Sequence, residues 1–314
     1  MWVETLLVPV IVNYVSYGCW TMLNKAQFSS KGGGTPLFAT TIQMFVAGAI
    51  ALAFVGFQRA YRRSPCTHSS LFSLAILRSR IVPLGVSRAV DIGCGNYALT
   101  LVSVAFQQIM KSTLPLFVSV LSVVVLKKQV NWRTWLSLVP IVCGCALFSA
   151  GDMTSSAAGA SLALLSSTGR SFKAIFNGLI LNSATEKLRP IEVLLLEAPT
   201  TGLILALIAA LLEGPWGTGA QPHESPNVSF NVACGALMFV TQVSYMMIIE
   251  RTSPLTCQVI MNVKMMMLVV VSMVLLATPP TAASVLGFIA VILGCTLYAS
   301  IAAASAVKKS DEIA

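Results

Sequence analysis

Ten apolar runs of about 20 residues, separated by short polar breaks, constrain this chain more than any other feature. They lie near 3–23, 37–57, 81–101, 104–126, 134–150, 160–181, 191–212, 232–249, 255–277 and 283–303. A run of that length crosses the ~30 Å hydrocarbon layer as an α-helix, and a helix satisfies its own backbone N–H and C=O groups where water cannot. Ten helices of ~20 residues take about 200 of the 314 residues and leave 114 for nine connections and two termini. Residues 81–126 divide in two at a tight turn near Val102 and Ser103, because 46 residues are too many for one helix. Only 10% of the chain is charged, against roughly 25% in soluble domains, which excludes an ordinary soluble enzyme. The expected fold is an all-α membrane protein with ten transmembrane helices.

The net charge of +9 means little for nucleic acid until the charges are located, and they fall mainly in short loops on one side. With the N-terminus cytosolic, Arg59, Arg62, Arg63, Arg78, Arg80, Lys127, Lys128, Arg133, Lys187, Arg189, Arg251, Lys308 and Lys309 fall on the cytosolic side, and only Lys25 and Lys31 on the other. Thirteen against two is a positive-inside bias that places both termini in the cytosol. The sequon Asn227-Val228-Ser229 falls in a non-cytosolic loop and agrees. The first apolar run has no basic n-region and no small-residue cleavage site, and no Arg- and Ser-rich extension precedes it. Neither a signal peptide nor a plastid or mitochondrial transit peptide is expected, which favours the secretory pathway. Seven of the eight cysteines lie in apolar stretches and read as small packing residues, while Cys66 sits in a basic loop.

A shift of 150 residues lays Phe106–Ala150 over Thr256–Ser300 without a gap, with nine of 45 positions identical, among them Gln108 with Gln258, Gly144 with Gly294 and Cys145 with Cys295. The matched spans are the fourth and fifth against the ninth and tenth. Two five-helix repeats, residues 1–151 and 152–314, are therefore expected, and since five is odd they must be inverted. Inverted repeats characterise secondary transporters, with the substrate site near the midplane between the halves.

Five cations remain inside the spans: Arg88, Lys111, Arg170, Lys173 and Lys264. Each costs about 2.5–3.5 kcal/mol at a helix centre on insertion scales, so each is expected to face a partner or an aqueous cavity. The anions available are Asp91, Glu192 and Glu197. Arg88 and Asp91, three residues apart, read as an intrahelical pair; Glu192 lies at a span end, and the partner of Glu197 is left open. The excess of positive charge makes an anionic substrate the missing counter-ion. Lys264 stands ~15 Å into the ninth span, and Lys111 is positioned to converge with it on one cavity, both suited to phosphate oxygens. Arg170 is a further phosphate candidate, and Lys173, one turn nearer the cytosol, reads as an entrance residue. Gln108, Gln258 and Asn262, with Asn96 and Tyr97 of the third span, offer groups for a sugar or base, against an equal alternative of helix–helix hydrogen bonding. No metal site is expected: Met265–Met267 reads as packing, and the two histidines, His68 and His223, lie in loops on opposite sides. No cofactor is implied.

The stretches Val104–Phe117 (VAFQQIMKSTLPLF), Ser137–Gly144 and Met261-Asn262-Val263-Lys264 resemble the triose-phosphate translocator and nucleotide-sugar transporter branch of the drug/metabolite transporter superfamily. The likeness includes Arg170 and the Glu197-Ala198-Pro199 region. It implies a ten-helix bundle that exchanges a phosphorylated sugar or nucleotide sugar for phosphate or a nucleoside monophosphate by rocking between two faces. Lys111 and Lys264 match the fourth- and ninth-span lysines expected at the anionic group, and Arg170 a sixth-span arginine whose role varies. Met265 stands where plastid phosphate translocators have arginine, and Leu114 where they have an acidic residue, which weakens a triose-phosphate reading.

The leading expectation is an antiporter of a nucleotide sugar against a nucleoside monophosphate in a Golgi or endoplasmic reticulum membrane. Exchange of a sugar phosphate or another organic anion for phosphate is the alternative within the same fold. A non-transporting accessory protein is the alternative of another class. An enzyme is not expected, since no paired carboxylates and no cysteine–histidine cluster occur at membrane depth. The partners are the anionic substrate, its counter-substrate and membrane lipid, without nucleic acid; whether the chain forms a homodimer stays open.

Overall fold

The computed structural model describes residues 2–28, 35–62, 80–125, 127, 131–151, 156–181, 188–213, 228–252, 254–275 and 281–311. Asn227 of the sequon, Cys66, both histidines and the loop cations Lys31, Arg63, Arg78, Lys128 and Lys187 lie outside them. Eleven helices and no strand occupy the described residues: α1 (Trp2–Phe28), α2 (Pro36–Arg62), α3 (Val82–Leu101), α4 (Val104–Lys111), α5 (Leu114–Val124), α6 (Trp132–Gly151), α7 (Ala157–Leu181), α8 (Pro190–Leu212), α9 (Val228–Arg251), α10 (Pro254–Leu275) and α11 (Ala282–Asp311). Because α4 and α5 share one span, the helices form ten segments, near the ten apolar runs. Seven of the ten have the length and apolarity to cross a membrane: α1, α2, α4 with α5, α6, α8, α9 and α11. The other three, α3, α7 and α10, carry four of the five intramembrane cations.

Two breaks give the bundle its shape. The turn between α3 and α4 is held by the Ser103 hydroxyl, which accepts from the Phe106 N–H at 3.0 Å. On its other side Lys25 Nζ donates to the carbonyls of Leu99 (2.7 Å) and Val102 (3.0 Å), the ones a helix end leaves unpaired. The break between α4 and α5 follows from Pro115, which has no N–H and whose ring crowds the carbonyl of Lys111 four residues earlier. Ser112 and Thr113 form the turn, with Thr113 N–H moving to the Met110 carbonyl at 3.2 Å. Lys111 is thus the last residue of a helix ending within the bundle, where the partial negative charge of the C-terminal carbonyls favours a cation.

The chain is built inside out relative to a soluble bundle. Leu203, Leu207 and Leu211 of α8, and Leu286, Ile289, Leu293 and Leu297 of α11, recur every three or four residues and are exposed, as suits lipid-facing surface. Asn13, Gln43, Arg88, Asp91, Gln108, Lys111, Lys264 and Glu197 are buried. The principal contacts pair α1 with α9, α2 with α8 and α9, α3 with α7 and α8, α4 with α10, and α6 with α11. Glycine permits the closest of these: a Cβ on Gly287 of α11 would lie 2.5 Å from Phe148 N, and one on Gly169 of α7 would lie 2.8 Å from both Asp91 N and Ser87 O. The seven cysteines among the described residues are free thiols.

Candidate functional site

The α3–α7 contact decides the charge pairing at the centre. With Gly169 seated on the α3 backbone, Arg170 reaches across, and its Nε stands 3.0 Å from Asp91 Oδ1. Ser166, one turn earlier on α7, donates to the Asp91 carbonyl (2.7 Å) and to Oδ1 (3.2 Å). Arg88 points elsewhere, to Glu197 of α8, with Nε 3.4 Å from Oε1 and neither side chain more than 1% exposed. The intrahelical Arg88–Asp91 pair expected from their spacing is therefore replaced by two interhelical pairs. Residues three apart share a helix face, but here the face meets α7 at one end and α8 at the other, and each neighbour supplies a better-placed partner.

These pairs border a central cavity of about 40 Å³, lined among others by Asn13 and Tyr17 of α1, Arg170 and Lys173 of α7, and Tyr245 of α9. Tyr17 is its hub. Its hydroxyl lies 3.4 Å from Gln108 Oε1 and 3.5 Å from Arg170 Nη1. Lys264 Nζ sits 3.9 Å above its ring centre and the Arg170 guanidinium carbon 5.7 Å from it. Lys111 is buried at the end of α4, its Nζ 3.6 Å from where a Cβ on Gly95 of α3 would stand. Among the described residues, both lysines that line the cavity are hydrogen-bonded to neutral groups: Lys264 donates to Asn13 Oδ1 at 2.7 Å, and Lys173 donates to Gln242 Oε1 at 2.9 Å with its ammonium 4.9 Å from the Tyr245 ring. Aromatic faces stabilise such cations by about 0.5–2 kcal/mol, while leaving their charge uncancelled.

Of the residues singled out in the sequence, Lys111, Arg170, Gln108 and Lys264 gather around Tyr17, and Lys173 and Gln258 line the cavity. Among the described residues, neither amide atom of Gln258 has a hydrogen-bond partner. Three others are directed elsewhere. Asn262 donates to Cys295 Sγ of α11 at 3.5 Å, Asn96 donates to Thr40 Oγ1 of α2 at 2.6 Å, and Tyr97 is 41% exposed on the outside of α3. Asn96 and Tyr97 are adjacent and so lie about 100° apart around the helix. The sequence reading missed Asn13 and Tyr17 of α1 and Gln242 and Tyr245 of α9. A signal for the first two was present: Asn13, Tyr17, Trp20 and Asn24 form a polar and aromatic stripe at helical spacing through an otherwise apolar run.

The profile described as the Triose-phosphate Transporter family matches residues 5–299. A relative named as a probable sugar phosphate/phosphate translocator of Arabidopsis thaliana is 26% identical over 286 residues, covering 88% of this chain and 89% of the relative. UDP-galactose transporter 1 of the same plant is 31% identical over 223 residues, 70% of this chain and 66% of the relative. A GDP-mannose transporter of that plant is 32% identical over 227 residues, 70% and 64% respectively. A solved crystal structure at 14% identity shares the fold with a TM-score of 0.60, over 95% of this chain and 97% of its own.

Proposed function

The chain belongs to the triose-phosphate transporter family and is an integral membrane protein, and from that premise we propose that it is a secondary antiporter exchanging a nucleotide sugar for a nucleoside monophosphate across an endomembrane. One observation carries the reading: five buried or cavity-lining cations, Arg88, Lys111, Arg170, Lys173 and Lys264, converge on the centre with two carboxylates, Asp91 and Glu197, leaving three positive charges in excess. Uncompensated charge in a low-dielectric interior is costly, so a di- or polyanion is the complementary ligand. Lys111, Arg170 and Lys264 take the phosphate oxygens, with the Tyr17 hydroxyl as a neutral donor beside them, while Gln108 and Gln258 address the sugar or base. The names of the UDP-galactose and GDP-mannose transporters among the relatives support the nucleotide-linked substrate. The name of the relative that matches 88% of the chain supports the second reading, exchange of a sugar phosphate for phosphate.

Exchange by rocking fits a cavity of about 40 Å³. That volume holds a few waters at most, whereas ligand sites run to ~300–1,000 Å³, so substrate entry requires the halves to part. Helix pairing supports a division into two inverted repeats, residues 1–151 and 152–314. Exchanging the halves turns the α1–α9 contact into α7–α3 and returns α2–α8, α4–α10 and α6–α11 to themselves. Glycine packing has the same reciprocity, since Gly144 packs on Val291 and Gly294 on Ile141, partners related by the 150-residue shift. Catalysis has no place in this reading.

The test is exchange in proteoliposomes loaded with nucleoside monophosphates and inorganic phosphate, against a panel of labelled nucleotide sugars and sugar phosphates. Uptake of a nucleotide sugar that needs an internal nucleotide is expected, falling at least ~100-fold in Lys264→Ala, as loss of a charge-assisted contact to an anion predicts, with the variant still folded. Uptake driven by internal phosphate alone selects the second reading. No exchange by a folded protein selects an accessory role.

A further inference from the structure

Arg170 and Asp91 differ from the other central ion pair in one respect. Arg88 and Glu197 are sealed, at 1% and 0% exposure, and only Arg88 of the two reaches the cavity wall, whereas Arg170 retains 16% and both it and Asp91 line the cavity. Among the described residues, the hydrogen-bond and ring partners of Lys173 and Lys264 are neutral, Gln242 and Tyr245 for the one, Asn13 and Tyr17 for the other. Asp91 is therefore the carboxylate that meets a substrate-facing cation where an incoming anion would have to sit. It engages the Nε edge of the guanidinium through Oδ1 at 3.0 Å, one of the edges that a phosphate uses in bidentate contact.

We propose that Asp91 is a resident stand-in for the substrate's anionic group: it neutralises Arg170 in the empty carrier and is displaced from it when an anion binds. This rests on the reading of the cavity as an anion-exchange site. Two consequences follow from electrostatics. Asp91 competes with the ligand for Arg170, so it lowers affinity. It also lets the empty carrier close over a paired rather than a bare arginine, a burial that is otherwise strongly unfavourable, so it permits reorientation without cargo and loosens the coupling of exchange. Ser166 tempers the competition, because its hydroxyl donates to the same Oδ1 at 3.2 Å and shares the carboxylate's charge with Arg170.

The variants predict opposite signs, which a merely structural role would not produce. In Asp91→Asn, inorganic phosphate and uridine monophosphate bind at least ~5-fold tighter, on the scale of close charge pairs, read as ligand-induced thermal stabilisation of the purified protein. In proteoliposomes that variant has a lower KM and a lower maximal rate, and its efflux into ligand-free buffer falls relative to its exchange rate. Adding Asp91→Asn to Arg170→Gln leaves affinity unchanged within ~2-fold, since the effect runs through that arginine. Ser166→Ala, which removes the hydroxyl that shares Asp91 Oδ1 with Arg170, binds both probes ~2-fold to 3-fold more weakly. Unchanged or weaker binding in a folded Asp91→Asn overturns the proposal; if that variant does not fold, unchanged or tighter binding in Ser166→Ala overturns it. Because the affinity readout needs no transport, a wild-type protein that binds phosphate with these signs yet exchanges nothing would sink the antiporter reading and leave the role of Asp91 standing.

Discussion

Tyr17 is the residue on which the central groups depend. Its phenol gives Lys264 and Arg170 an apolar face that is also a weak negative surface, and its hydroxyl links Gln108 to Arg170. The two roles separate by substitution. Tyr17→Phe keeps the ring under Lys264 and removes the hydroxyl, so KM for the transported anion should rise about tenfold to 100-fold, the scale of one hydrogen bond to a charged group, with little change in thermal stability. Tyr17→Ala also removes the face that shields Lys264 and should abolish exchange. Uptake kinetics beside a thermal melt distinguishes the two, and an unaltered KM in Tyr17→Phe would remove the hydroxyl from the site.

Helix contacts set which side chains meet, and two of them make predictions. The α3–α7 approach depends on Gly169, where a Cβ would press on backbone atoms of Asp91 and Ser87 at 2.8 Å. Backbone cannot swing aside as a flexible side chain can, so Gly169→Ala should cost about 1–3 kcal/mol in stability and reduce exchange further than that loss explains, because it shifts Arg170 against Asp91. A denaturation midpoint together with a transport rate checks both. At the end of α8, Glu213 accepts from the N–H groups of Leu37 and Phe38, each at 2.9 Å, and so caps the start of α2. Burial raises the pKa of its carboxyl above the ordinary glutamate value, outweighing those two N–H donors, which lower it. A carboxyl whose pKa is raised by folding favours the fold at low pH and loses that contribution as pH rises through the raised value. The melting temperature in detergent should therefore decline over the window just above pH 4.5, and Glu213→Gln should flatten that part of the profile; an identical slope in both proteins would contradict it.

For the whole molecule, orientation is a matter of loop charge. Thirteen cations on one side and two on the other predict that both termini lie in the cytosol. Epitope tags on either end should accordingly be digested by protease added to intact microsomes; protection of either tag would reverse the assignment. The ten segments and the tight turn at Val102–Ser103 were legible in the sequence because membrane insertion acts on each helix by itself, through length, apolarity and flanking charge; the helix ends were not, since α1 runs to Phe28 and α11 to Asp311, past the apolar runs that end at 23 and 303. The clustering of Lys111, Arg170 and Lys264 was legible for a related reason: charges that lipid excludes must turn inward. Partnership was not. Arg88 and Asp91 looked like a pair, and Asn96, Tyr97 and Asn262 like cavity groups, until helix rotation and crossing gave them Glu197, Arg170, Thr40, the outer surface and Cys295 as surroundings. Those are properties of helix–helix packing, set by where glycines let backbones approach, and no spacing along one helix encodes which neighbour it will meet. The sequence alone thus determined that this chain is a membrane bundle with excess positive charge inside. Only the tertiary structure decided which carboxylate holds which cation, and that Tyr17 stands between them.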